Sequence, residues 1–158
     1  MVDRKDVGSW LEGPTQPADP AYLPGSDLGL PAEGPGSVAR IAPRLGAIFV
    51  DWTLCSLIAA ALLGYRWGAQ GSAGFMPLLV FMVENVLLVG TLGSTIGHRL
   101  FGMRVVGVDG GPAKPLQALI RTVLLALVIP AVIWDKDQRG FHDKAAGTVL
   151  LRTSPKRH

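Results

Sequence analysis

Residues 44–65, RLGAIFVDWTLCSLIAAALLGY, are almost wholly apolar and hold one aspartate, Asp51. The stretch is as long as a bilayer is thick, since a helix needs about 20 residues to cross the hydrocarbon core. Arg44 opens it and Asp51 follows seven residues later, so both side chains project from one face of a helix. An aspartate near the centre of a spanning helix costs about 2.5 to 3.5 kcal/mol, more than one apolar neighbour returns. The same face continues in small residues: Ala47, Asp51, Cys55 and Ala59 recur every fourth position and would let a second helix approach closely. Asp51 is therefore predicted to face protein and not lipid.

The bulk composition agrees. Of 158 residues, 49% are hydrophobic and only 17% are charged, which reads as one small membrane domain. Residues 1–39 carry a net charge of −4, leaving +7 on the remainder of a chain whose formal charge is +3. The basic residues flank apolar segments without interleaved aromatics, which argues against nucleic acid and for anionic lipid head groups as counter-charge. A single cysteine, Cys55, excludes an internal disulfide. His98, His142 and His158 have no metal-ligand spacing, and no cofactor is implied.

Residues 1–39 have proline at 14, 17, 20, 24, 31 and 35 among glycines and acids, with no apolar period. They are read as a disordered tail, either a solvated leader or a recruiter of a soluble partner. A second apolar run, Phe75–Leu92, carries Glu84 and Asn85 at its middle and Pro77 in its first turn, where a missing N–H does no harm. Glu84 reads either as a proton-titrating carboxylate or as a neutral acid hydrogen-bonded between helices. The connection 93–115 is glycine-rich and predicted to lie at the membrane interface, with a strand or hairpin in LFGMRVVGVDGGP. Leu116–Trp134 is a third apolar segment, entered through Lys114, Gln117 and Arg121 and kinked or stopped at Pro130. A strand-like TVLL (148–151) and a basic terminus, 153–158, close the chain. The expected architecture is an all-α integral membrane protein: three apolar helical segments over 40–152, the tail, and the glycine-rich connection.

Three motifs carry a resemblance. Arg44 with Asp51; Gly93, Thr95, Gly97, Gly102, Val105 and Val106 within GSTIGHRLFGMRVV; and His142, Asp143, Ala146, Gly147 and Thr148 within FHDKAAGTVLL are similar in kind and order to the motifs of the RDD family of small membrane proteins. His98 stands where that family usually has lysine, with Arg99 directly after it. The resemblance implies Arg44, Asp51 and Asp143 as the family trio, a membrane location, and a role not fixed beyond suggested transport of unknown ligands.

Two functions follow from the intramembrane charges Asp51, Glu84 and Arg121. One is a component of ion- or proton-coupled transport using Asp51 and Glu84, which three segments could perform only as a homo-oligomer or with a membrane partner. The other is a non-transporting scaffold whose charges fix helix packing and whose tail recruits a partner. No nucleophile and base stand at usable spacing, so no enzyme is expected. Asp51 and Arg121 lie at matching depths in antiparallel segments and are expected to pair. If the third segment turns back at Pro130, the C-terminal basic residues join Arg40, Arg44, Arg99, Arg104 and Lys114 against Arg66 alone, predicting a cytoplasmic N-terminus in a bacterial-type plasma membrane. If it crosses fully, the charge bias vanishes.

Overall fold

The computed structural model describes residues 21–127 and 139–153. Helix α1 (Ile41–Leu63) accommodates Pro43 in its first turn and ends at Gly64, whose φ of 68° is the left-handed conformation that lets its N–H close on the Ala59 carbonyl. Gly71–Phe75 form a 3-10 turn that leads back into α2 (Met76–Leu92), which starts with Pro77 and stops at Gly93, again left-handed at φ 71°. A one-turn helix, α3 (Ile96–Leu100), precedes strand β1 (Met103–Gly107). Then come α4 (Pro115–Ala126), α5 (Phe141–Ala146) and strand β2 (Thr148–Arg152).

Helix α1 and the continuous helical stretch Gly71–Leu92, the 3-10 turn with α2, are each long and apolar enough to cross a membrane, and α4 is a shorter apolar helix. Only 28% and 22% of their apolar windows are buried, so most of each apolar surface faces outward, unlike a mostly buried core helix. Their polarity is inverted: Leu45, Phe49, Leu57, Leu79, Val83 and Leu87 point outward. The inward stripe of α1 is Arg44, Ala47, Asp51, Cys55, Ser56 and Ala59, as the four-residue spacing implies. It faces Pro77, Phe81, Asn85 and Val89 of α2, and α2 also packs on α4 through Ala118, Arg121, Thr122 and Leu125. With such small residues inside, close approach of backbones replaces bulk burial as the source of packing.

One end of the bundle is capped by a two-stranded antiparallel sheet, in which Met103 pairs with Arg152, Val105 with Leu150 and Gly107 with Thr148. The all-α expectation is corrected by this sheet. Each strand was visible as a local apolar pattern, but their pairing joins segments on either side of α4. Buried residues alternate in β1 (Met103, Val105, Gly107), and Met103 and Val105 form the main core with Ala39, Ala47, Val89, Ala113, Ala118 and Leu150.

The residues just before α1 join the cap. Ser37, Val38 and Ala39 are buried, Val38 bridges Leu151, and the Ala39 N–H donates to the Leu150 carbonyl at 2.8 Å. Residues 21–35 hold a 3-10 turn at Ser26–Leu28, and residues 1–20 lie outside the described chain. The turn anticipated at Pro130 likewise lies outside it. The described part of the third segment is the 12-residue α4, roughly 18 Å long against a hydrocarbon core of about 30 Å. Residues 139–153 stand beside its first turns, where the Gln117 amide donates to the Gly147 carbonyl. The described chain on either side of residues 128–138 thus meets at the capped end of the bundle.

Glycine matters most where α3 lies against α1. A Cβ at Gly97 would overlap the Ala47 carbonyl, whereas one at Gly90 of α2 would meet Pro115 and Ala118 at 3.4 Å or more. Gly97→Ala is expected to destabilise the folded protein by more than about 2 kcal/mol, in line with overpacking against immovable backbone. Gly90→Ala should be neutral or gain up to about 1 kcal/mol from helix propensity. Melting temperatures of the two variants in detergent check this contrast.

Candidate functional site

The capped end of the bundle gathers the charges. Asp143, in the first turn of α5, is fully buried. Arg121 Nε donates to its Oδ1 at 2.6 Å and Arg44 Nη1 to its Oδ2 at 3.0 Å. The Thr148 hydroxyl stands 3.3 Å from the Asp143 carbonyl and 3.4 Å from Oδ1. Arg44 is itself held by Nε donating to the Ala39 carbonyl at 3.0 Å, and Arg139 Nη2 donates to the Thr148 carbonyl at 3.1 Å. One carboxylate thus ties α1, α4, α5 and β2 together.

Asp51 occupies a separate, adjoining niche. Its Oδ2 accepts from Thr95 Oγ1 at 2.5 Å and its Oδ1 from the Gly97 N–H at 2.7 Å. The expected Asp51–Arg121 pair is not formed, because Arg121 is taken by Asp143 and the start of α3 supplies both of Asp51's donors. Thr95 also caps α3 by accepting from the His98 N–H at 3.2 Å, while His98 Nδ1 accepts from the Thr95 N–H at 3.2 Å. This return bond needs an acceptor, which neutral histidine has and lysine lacks. The glycine-rich stretch is therefore a clasp on Asp51: Gly97 permits the contact, Thr95 makes it, Gly93 ends α2 before it and Gly102 (φ 63°) turns the chain into β1.

Electrostatics follow from burial. Burial alone would push the Asp143 carboxyl up, but His142, Arg121 and Arg44 outweigh it and hold the group well below the usual carboxylate range. Such an acid stays ionised and is a poor proton acceptor. Burial, with the Arg121 charge nearby, pushes the His98 imidazole down to about 3. Burial likewise pushes His142 down to about 4 although Asp143 opposes it. Among the described residues no three of His, Cys, Asp and Glu converge as metal ligands.

Glu84 lies apart, midway along α2. Cys55 Sγ donates to its Oε2 at 3.0 Å, and its Oε1 is enclosed without a hydrogen-bond partner. Sequence reasoning grouped Arg44, Asp51 and Asp143 but missed the bridging role of Arg121 and the cap made by His98. The first could have been suspected from Asp143 being the remaining buried acid within reach of two arginines. Nothing in the sequence distinguishes His98 as a cap.

A family model described as RDD family matches residues 38–147. The chain is also 27% identical over 128 residues to "Uncharacterized protein YckC" of Bacillus subtilis (strain 168), covering 71% of this chain and 83% of that protein. No solved structure matches it.

Two outcomes follow. Removing Asp143 strands two buried guanidiniums, so Asp143→Ala should cost about 3 to 5 kcal/mol, and a cycle with Arg121→Ala should be strongly non-additive. Arg121→Ala with Asp51→Ala should show far weaker coupling, read from unfolding in detergent. Both histidines are neutral when folded but take up protons near pH 6.5 when unfolded, so stability is complete above that pH and falls as pH drops toward about 4 and about 3. The slope should reach about 1.4 kcal/mol per pH unit for each histidine, halving in His142→Gln. A melting temperature unchanged between pH 7 and 5 would contradict this.

Proposed function

The chain belongs to the RDD family, and from that premise we propose that it is an integral plasma-membrane protein that crosses twice and acts as a non-transporting scaffold. The observation that carries this reading is that its buried charges are engaged inside the fold: Asp143 is clamped by Arg44 and Arg121, and both oxygens of Asp51 accept hydrogen bonds from Thr95 and Gly97. Charges spent on closing a bundle are not available to bind and release a travelling ion. Residues 115–126 enter the membrane from the capped side and the chain returns to that side. Arg40, Arg44, Arg99, Arg104, Lys114, Arg139, Lys144 and Arg152 then share one face of the membrane and Arg66 the other, which supports a cytoplasmic N-terminus. The scaffold's partners are other membrane helices, including a second copy, laid against the outward apolar faces. A soluble partner for the first residues of the chain completes this reading.

A component of ion- or proton-coupled transport is the second reading, and Glu84 favours it. Its carboxylate sits mid-helix and only partly buried, with Oε1 unbonded, as a titrating acid between copies would be. Flux of protons and sodium into proteoliposomes separates the two. The scaffold reading expects no flux above protein-free vesicles, whereas flux abolished by Glu84→Gln in a folded protein would establish transport. Single cysteines replacing Gln70, Val108 and Thr153 in a Cys55→Ser background test topology. Membrane-impermeant reagent on whole cells should label position 70 alone.

A further inference from the structure

Beside the end of α2, an open recess of about 390 Å³ is walled by Ser94, Arg99, Arg104 and Thr153, with Leu92 and Met103 behind them and no acid in its lining. Arg99 Nε donates to Ser94 Oγ at 3.1 Å, which orients the guanidinium and leaves the buried serine's own O–H free to donate. The Arg104 side chain makes no hydrogen bond or ion pair, and Arg99 no ion pair, among the described residues. Gly93 makes room for Arg104, since a Cβ there would sit 3.1 Å from the Arg104 Nε. Two guanidiniums and a hydroxyl converging without a counter-charge form the donor set that recognises a phosphate.

The surroundings select the source of that phosphate. Leu92, Ile96, Leu100 and Phe101 beside the recess are 46%, 45%, 69% and 44% exposed, an apolar rim that water does not favour and acyl chains do. Leu92 is also the last residue of an apolar helix long enough to cross the membrane, which puts the recess at head-group depth. We propose that Ser94, Arg99 and Arg104 form a binding site for the phosphate of an anionic phospholipid, whose chains lie along Leu92, Leu100 and Phe101. This rests on the membrane-spanning reading above and is independent of whether the protein transports anything. The site fixes the glycine-rich clasp to the lipid surface, so that the lipid charge reaches the loop that holds Asp51.

The test uses the full-length protein in neutral detergent, titrated with phosphatidylglycerol or phosphatidylcholine and read by native mass spectrometry. The wild type should retain phosphatidylglycerol in preference to phosphatidylcholine. Arg99→Gln with Arg104→Gln should weaken phosphatidylglycerol roughly thirty-fold, about five-fold for each charge. Arg104→Gln alone, which removes no bond of the fold, should give about five-fold and serves if the double variant does not fold. Equal retention of the two lipids, or undiminished phosphatidylglycerol binding in Arg104→Gln, would overturn the site. Displacement of the lipid by millimolar inorganic phosphate would overturn the lipid assignment in favour of a free anion. A protein that stays monodisperse without detergent would instead overturn the membrane-spanning reading.

Discussion

Everything at the capped end depends on one carboxylate between two guanidiniums. Asp143 lies 99 positions from Arg44 and 22 from Arg121, so this contact joins the start of α1 to the last segment of the described chain and fixes where that segment sits. Burying three charges in a medium of low dielectric is costly, and replacing such a cluster with well-packed apolar residues is often neutral or stabilising. Its retention is better understood as specification: docking α5 places one carboxylate between Arg44 and Arg121. Such a contact favours one packing of a small bundle whose outward faces are mostly apolar.

Asp51 shows the complementary device. A bare aspartate two turns into an apolar helix would be intolerable, yet here a hydroxyl and a backbone amide are folded down onto it from a loop. Neither donor carries charge, so neither could announce itself as a partner in the sequence. Gly97 is needed because α3 must lie against the α1 backbone at Ala47. Asp51 thus holds the glycine-rich connection and Asp143 holds the C-terminal segment. Arg121, bonded to Asp143, lowers the cost of that acid's charge.

The long helices were legible because their length, their apolar content and the spacing of Ala47, Cys55 and Ala59 all point the same way. Observed bounds of 41–63 and 76–92 fall within a few residues of the stretches read from composition. Strands β1 and β2 were each visible as short apolar runs, but their pairing joins segments 45 positions apart on either side of α4, which local pattern does not encode. Depth matching suggested Asp51 for Arg121 and failed, because it treated the segments as bare spans and ignored the loop that reaches Asp51 first. Where proline and glycine dominated, the tail appeared structureless up to residue 39, yet Ser37–Ala39 gain backbone partners in the edge of β2. An edge strand accepts almost any sequence that offers its N–H and C=O groups.

If Asp143 is what closes the structure, strand pairing across the cap must depend on it. Val106 and Val149 are direct partners in the β1–β2 register, close enough for a disulfide. In a Cys55→Ser background, Val106→Cys with Val149→Cys should cross-link nearly completely on oxidation in the membrane, and the yield should fall several-fold when Asp143→Ala is added. Equal cross-linking with and without the aspartate would contradict the central role assigned to it.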